Sequence, residues 1–290
     1  MKKMEILVIG GDARQYYMAE KLLECGCEVV CFGEVFQGST PGIKRLDSLE
    51  EVWEKLGQTG NSVVFPIPVT TDGTYIKGTK ETIRLDDICL YMKEKERIYG
   101  GNIPANMRVA CEMKQGKCMD FMKSERVAIL NAVATAEGAI AEATMLGKGQ
   151  LTGNECLVTG YGKCGEILAD KLSKFGAKVT VMARKESARA KAAAYGHNTC
   201  SFELSRIQLN RFAYIFNSVP SLIGTKEFLQ QCNSQVTIID IASAPGGIDY
   251  EYAKQTGIVA KLCLGLPGKY APKTAGEILA EEISKEKEQS

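Results

Sequence analysis

The segment Gly160-Tyr161-Gly162-Lys163-Cys164-Gly165 constrains the fold more than any other in the sequence. A G-x-G-x-x-G is weak alone, because glycines collect in any tight turn. Here it follows an apolar strand, Glu155 to Thr159, and opens a helical stretch carrying Ile167, Leu168 and Leu172 that stops at Phe175-Gly176. A second strand, Val179 to Met182, comes next, and this strand–turn–helix–strand setting is the one a dinucleotide-binding turn needs. The first glycine makes the turn, the second lets a pyrophosphate approach the backbone, and the third lets helix and strand pack closely. Free N–H groups and the helix dipole then stabilise phosphate charge. Gly160, Gly162, Lys163, Cys164 and Gly165 are the candidate contacts.

Roughly 20 residues past the glycines, an acidic side chain would bond the ribose 2′-OH of NAD. This chain has Ala183-Arg184-Lys185 there, with Ser187 and Arg189 just beyond. Arg184, Lys185 and Arg189 suit the 2′-phosphate of NADP, and an arginine also stacks on adenine. An ordinary basic loop is the plain alternative. His197, the one histidine, follows the next helix and belongs on the adenine side of such a domain, away from hydride transfer. Asn217-Ser218-Val219-Pro220 ends a later strand and Asp240-Ile241-Ala242-Ser243 ends the next. By position Asn217, Ser218, Val219, Pro220 and Ser243 flank the nicotinamide and its ribose.

Strand-then-helix alternation runs through both halves of the 290 residues, which argues parallel sheets covered on both faces. In the first half, strands are expected at Glu5 to Ile9 and Val29 to Phe32, with further apolar runs at Ser62 to Phe65, Arg108 to Cys111 and Val127 to Leu130. The polar stretch from Thr71 to Gly101 is expected to form loops and short helices. An alanine-rich helix, Asn131 to Leu146, connects to the second series, whose strands are Glu155 to Thr159, Lys178 to Ala183, Ala213 to Asn217, Val236 to Ile241 and Val259 to Cys263. Ala271 to about Lys285 forms a terminal helix, followed by a charged tail. These boundaries divide the chain into a domain of residues 1–130 joined by the helix of 271–290, a connecting helix over 131–150, and a nucleotide-binding domain over 151–268.

Composition excludes other classes. A net charge of +1 offers no field for nucleic acid or an anionic membrane. No apolar run approaches the roughly 20 residues of a membrane span, and the apolar Glu5–Ile9 stretch lacks a cleavage site and suits a buried strand better than a signal peptide. Eleven scattered cysteines without a C-x-x-C pair, and a single histidine, argue against a metal site and suit free thiols in a reducing cytosol.

Four segments besides the glycine turn carry a family resemblance. They are Val8-Ile9-Gly10-Gly11-Asp12-Ala13-Arg14-Gln15, Thr135-Ala136-Glu137-Gly138-Ala139-Ile140, Ile239-Asp240-Ile241-Ala242-Ser243-Ala244-Pro245-Gly246-Gly247, and Gly265-Leu266-Pro267-Gly268-Lys269-Tyr270-Ala271-Pro272-Lys273-Thr274-Ala275-Gly276. In order and spacing the chain resembles, from end to end, the dipicolinate synthase A-subunit family of spore-forming bacteria. The resemblance implies a two-domain α/β architecture like that of the 2-hydroxyacid and alanine dehydrogenases. A flavodoxin-like N-terminal domain and an NAD(P)-binding Rossmann domain would each hold a doubly wound parallel sheet. It further implies, as partner, the flavoprotein-like B-subunit of dipicolinate synthase, and the mother-cell cytosol as location. The implied reaction is NADP-dependent oxidation of dihydrodipicolinate, derived from 4-hydroxy-tetrahydrodipicolinate, to dipicolinate. Homo-oligomerisation stays open.

A dicarboxylate calls for cations and hydroxyls at a cleft. Arg14 follows the first strand where ligands collect in such sheets, Thr70 and Thr71 follow the third, and Lys273 and Thr274 start the last helix, whose N-terminus favours an anion. Solvated surface charge is the bland reading of Arg14 and Lys273. Glu137 lies among Ala134, Thr135, Ala136, Gly138 and Ala139, and small neighbours are expected to bury it in part. Burial would raise its pKa and suit proton transfer, so Glu137, with Lys273, is the candidate catalytic group; a structural carboxylate is the alternative. Two rival functions share the motifs: another two-domain dehydrogenase of small amino, imino or hydroxy acids, and a non-catalytic cofactor-binding scaffold.

Overall fold

The computed structural model describes residues 4–38, 40–58, 62–80, 82–203, 205 and 207–288, with the side chains of 287 and 288 excepted. The chain divides into two compact units, one built from residues 1–128 and 271–290, the other from 129–270.

The first unit holds β1 (Glu5–Ile9), α1 (Ala13–Glu24), β2 (Glu28–Phe32), β3 (Ile43–Arg45), α2 (Leu49–Leu56), β4 (Ser62–Val64), α3 (Leu85–Tyr91), β5 (Arg97–Gly100), α4 (Ala105–Met113) and β6 (Lys117–Asp120), and α5 (Glu125–Leu146) begins in it. Its strands form one parallel sheet in the order β3-β2-β1-β4-β5-β6. Without the short edge strand β3, this is the flavodoxin-like order 2-1-3-4-5. The central strands are buried on both faces, which is why β1 reads as an apolar run from Ile6 to Ile9.

The second unit holds most of α5, then β7 (Glu155–Thr159), α6 (Lys163–Lys174), β8 (Lys178–Met182), α7 (Glu186–Ala194), β9 (Asn198–Cys200), β10 (Tyr214–Asn217), α8 (Lys226–Gln230), β11 (Thr237–Asp240), α9 (Tyr250–Thr256), β12 (Val259–Leu262) and α10 (Leu266–Tyr270). Its parallel sheet runs β12-β11-β10-β7-β8-β9, the Rossmann order. Ala136, Ala139 and Ala143 of α5 are fully buried in the same core as Val158, Leu168 and Phe216. The last helix, α11 (Pro272–Glu288), returns to the first unit and packs on α1. Gly276 makes that contact a backbone one, since a Cβ there would lie 2.4 Å from the Arg14 carbonyl oxygen.

The expected strands of the second unit all form. In the first unit, two expectations need correction. Arg108–Cys111 lies inside α4 and Val127–Leu130 inside α5, while the strands are Arg97–Gly100 and Lys117–Asp120. A four-residue apolar run does not distinguish strand from helix. The true strands escape notice because β5 starts on a charge and β6, at the sheet edge, is mostly polar and half-exposed. The helix α5 also starts at Glu125, ahead of Asn131, and α11 runs past Lys285 to Glu288.

Candidate cofactor and substrate sites

The turn between β7 and α6 is shaped by what its glycines leave out. Gly160 has φ +85°, in the left-handed region, and a Cβ there would stand 2.6 Å from Ser218 Oγ. At Gly165 a Cβ would meet the Gly160 carbonyl oxygen at 2.4 Å, so this glycine lets α6 press against the turn. Gly162 differs from both. It is the N-cap of α6, no side chain caps the helix, and a Cβ on it would meet nothing within 4 Å. The N-terminus of α6 is therefore without a side-chain cap and has open space beside Gly162, where the positive end of the helix dipole favours an anion. Burial pushes the neighbouring Cys164 thiol up, which favours its neutral form.

A cavity of about 800 Å³ opens over this turn, at the carboxyl ends of β7, β8 and β10. Phe202, Val219, Ile223 and Phe228 give it apolar walls, and the exposed Arg184 and Lys185 border it. No acidic residue stands at the end of β8, and among the described residues Glu203, past β9, is the one carboxylate on the lining. These features fit a dinucleotide: an uncapped helix for the pyrophosphate, apolar walls for the flat rings, and two cations where β8 ends. Arg189 is absent from the lining and bonds instead to the Ala183 and Arg184 carbonyls. Tyr161, between the first two glycines, also lines the cavity and meets His197 edge-to-face at a centroid separation of 6.4 Å. His197 is only 7% exposed, and burial lowers its pKa, so it is held as a neutral packing group. Sequence reasoning missed Tyr161 and Phe202, although the first sits inside the glycine motif itself.

The ends of β10 and β11 are tied together beneath the cavity. Asn217, fully buried, accepts from Thr159 Oγ1 (2.7 Å) and donates to Asp240 Oδ1 (2.9 Å) and to the Val219 carbonyl (3.0 Å). Asp240 also accepts from Ala242 N, Gly247 N and the Tyr250 hydroxyl. Burial, reinforced by that Asp240 bond, raises Tyr250 far above its usual range and keeps it a donor. Asn217 thus has its amide spent on the scaffold and shapes the loop. Val219 lines the cavity, Ser218 Oγ donates to the Thr159 carbonyl at 2.8 Å, and Pro220 and Ser243 are exposed.

The expected burial of Glu137 does not occur. Its side chain is 57% exposed and pairs with Lys171 of α6 at 2.9 Å. The physical reason is helical phase: Ala136, Ala139 and Ala143 turn toward the sheet, and Glu137 lies off that face. The buried carboxylate of α5 is instead Glu142, 2% exposed, which pairs with Lys261 (2.8 Å) and Lys269 (2.6 Å). Those two bonds hold its carboxyl down to about 2, so at neutral pH it is an ionised strut between α5, β12 and α10.

In the first unit, the carboxyl end of β1 carries a compact charged cluster. Arg14 is 7% exposed. Its guanidinium is bidentate to Asp12, with Nε to Oδ1 at 2.9 Å and Nη2 to Oδ2 at 2.8 Å, and Nη2 also donates to the Ile67 carbonyl at 2.6 Å. Lys77 Nζ reaches the same Asp12 Oδ2 at 2.8 Å. Burial works to raise the Asp12 pKa, but bonds and charge from Arg14 and Lys77 prevail and hold it well below the carboxylate range. Two cations thus share one anion, and Lys77, which sequence reasoning passed over inside the polar 71–101 stretch, completes the set. Thr70 is half-buried and closes a turn with Asp72 and Gly73; Thr71 is exposed. Lys273 and Thr274 are exposed on the first turn of α11, where Lys273 borders a groove with Tyr17, Glu20 and Thr40. Among the described residues no group of three or more His, Cys, Asp or Glu could hold a metal, and no helix is long and apolar enough to cross a membrane.

Comparison with known proteins bears on both units. Residues 5–122 match the family described as the N-terminal domain of the dipicolinate synthase A-subunit, and residues 149–250 match a family described as putative NAD(P)-binding. The dipicolinate synthase A-subunit of Bacillus subtilis (strain 168) is 30% identical over 292 residues, covering 97% of this chain and 95% of that protein. The crystal structure of the dipicolinate synthase A-subunit from Bacillus halodurans superposes with a TM-score of 0.87 at 29% identity, covering 97% of each chain. A transhydrogenase from Sinorhizobium meliloti, at 14% identity, shares the fold alone, with a TM-score of 0.67 over 98% of this chain and 93% of its own. With a nicotinamide-type nucleotide cavity in one unit and this end-to-end likeness across both, the chain belongs to the dipicolinate synthase A-subunit family.

Proposed function

We propose that the chain is an NADP-dependent oxidoreductase that oxidises dihydrodipicolinate, formed from 4-hydroxy-tetrahydrodipicolinate, to dipicolinate. In this reading it works with the flavoprotein-like B-subunit in the mother-cell cytosol during sporulation. The observation that carries it is the uncapped α6 N-terminus opening on a cavity bordered by Arg184 and Lys185, with no carboxylate at the end of β8. The α6 N–H groups hold the pyrophosphate, Arg184 and Lys185 hold the 2′-phosphate, and Val219 and Phe202 flank the rings.

A nicotinamide cofactor, when bound, supplies the acceptor for the hydride that leaves the dihydropyridine ring. The ring also loses one proton, and aromatisation makes the loss of both favourable. The substrate is a dianion, and the Arg14–Asp12–Lys77 cluster, with two cations to one carboxylate, carries the net positive charge that would receive one of its carboxyl groups. Thr70, Thr71, Lys273 and Thr274 are the further substrate candidates. Glu137, exposed and paired with Lys171, lacks the burial on which its candidacy for proton transfer rests.

Purified chain combined with the B-subunit, the lysine-pathway precursor and NADP⁺ is expected to yield the ultraviolet bands of dipicolinate. Absence of those bands, alongside NADPH consumption with a simple keto acid, would sink the substrate assignment.

A further inference from the structure

The basic residues after β8 do not all do the same thing. Arg184 and Lys185 are exposed and border the cavity, whereas the guanidinium of Arg189 turns back onto the backbone. Its Nη1 donates to the carbonyl oxygens of Ala183 at 2.7 Å and Arg184 at 2.8 Å. Its own N–H donates to the Lys185 carbonyl at 3.2 Å in the first turn of α7. One residue therefore holds three consecutive carbonyls, those of 183, 184 and 185. The other side of Ala183 is fixed as well, because its N–H donates to the Cys200 carbonyl at the end of β9 at 3.1 Å. Lys185 is the N-cap of α7 without a side-chain cap bond, so the cap itself adds no brace to this corner.

We propose that Arg189 is a positioning residue for cofactor choice, one that sets the backbone from Ala183 to Lys185 so that the Arg184 and Lys185 side chains converge on the 2′-phosphate. It rests on the reading of the cavity as an NADP site. The guanidinium presents a rigid fork of donors to neighbouring carbonyls, a geometry that the single ammonium of a lysine does not reproduce. Charge at position 189 is thus not enough, and Arg189→Lys separates geometry from charge.

The test is equilibrium binding of NADPH and NADH, followed by cofactor fluorescence, to wild type, Arg184→Ala, Arg189→Ala, Arg189→Lys and the Arg184→Ala/Arg189→Ala double variant, with thermal melts as the check on folding. Wild type is expected to favour NADPH, and both single variants at 189 to weaken NADPH about five- to tenfold while NADH stays within about twofold. The double variant should lose less NADPH affinity than the product of the two single losses, because Arg189 acts in part through Arg184. Multiplying losses in the double variant, equal losses for both cofactors, or a preference that survives Arg189→Ala would each overturn the role of Arg189 while leaving the NADP reading standing. A wild type without preference would overturn the NADP reading itself, and the role of Arg189 with it.

Discussion

The turn after β1 and the turn after β7 stand at corresponding places in two parallel sheets, yet they are finished in opposite ways. After β7, the helix N-cap is a bare glycine and the space beyond it is open. After β1, the N-cap is Asp12, whose side chain accepts from the Arg14 N–H while Gln15 bonds back to the Asp12 N–H in a full capping box. The chain then covers that turn with its own loop. Gly11 N donates to the Lys77 carbonyl at 2.7 Å, and a Cβ on Gly78 would lie 2.3 Å from the Gly11 carbonyl oxygen. A topological switch point is therefore only an opportunity to bind. Its helix N–H groups can hold an anion where no side chain caps them; where side chains consume them, as after β1, only the side-chain charge of Arg14 and Lys77 is left to attract one.

Gly78→Val attacks the covered turn and should have the largest effect. Its φ is +77° and the added side chain meets Gly11 backbone, so a loss on the order of 3–5 kcal/mol in unfolding free energy is expected, with NADPH affinity of any folded fraction unchanged. Denaturant titration measures it; a loss below about 1 kcal/mol would mean the loop does not brace the turn.

Gly162→Asp rebuilds the open turn in the image of the covered one. The position has extended backbone and no close neighbour, so the fold should persist, and the new carboxylate should cap α6 and raise stability by about 0.5–1 kcal/mol. Cofactor affinity should fall about 100-fold or more, since a fixed anion then occupies the phosphate position. Calorimetric titration with NADPH at unchanged affinity would show that the α6 terminus is not the pyrophosphate site.

The smallest effect concerns buried carboxylates, which also divide between the units. Glu96 in the first is 1% exposed, and burial raises its carboxyl to about 7 from an ordinary 4.5. The folded chain thus holds this proton where the unfolded chain has lost it, so stability falls as pH rises from 4.5 to about 7 and levels off above, by up to about 3 kcal/mol. Glu142 in the second has the opposite sign: its contribution is present above 4.5 and fades as pH falls toward 2. Glu96→Gln should therefore stabilise the protein at pH 8 by about 1–2 kcal/mol and do little at pH 5. Equal effects at both pH values in thermal melts would remove Glu96 as the cause.

By itself the sequence determined the class of fold, five of the six strands in the second unit and the chemistry of the β7–α6 turn. These are local matters: continuous apolar strands bounded by glycines, and a glycine motif whose spacing dictates a tight turn. It left β5 and β6 hidden, because short strands with charged or polar residues carry no period of their own, and pairing with β4 is what makes Arg97-Ile98-Tyr99-Gly100 a strand. Only tertiary structure decided which charges were free. Three arginines and lysines after β8 look alike in sequence, but the backbone carbonyls of 183 and 184 claim Arg189 and leave Arg184 and Lys185 at the cavity. Likewise Glu137 and Glu142 share one helix among the same small residues, and the sheet beneath buries the second and exposes the first. Composition records that a side chain carries charge; which partner stands within about 3 Å of it depends on residues distant in the chain, and those are brought together only by folding.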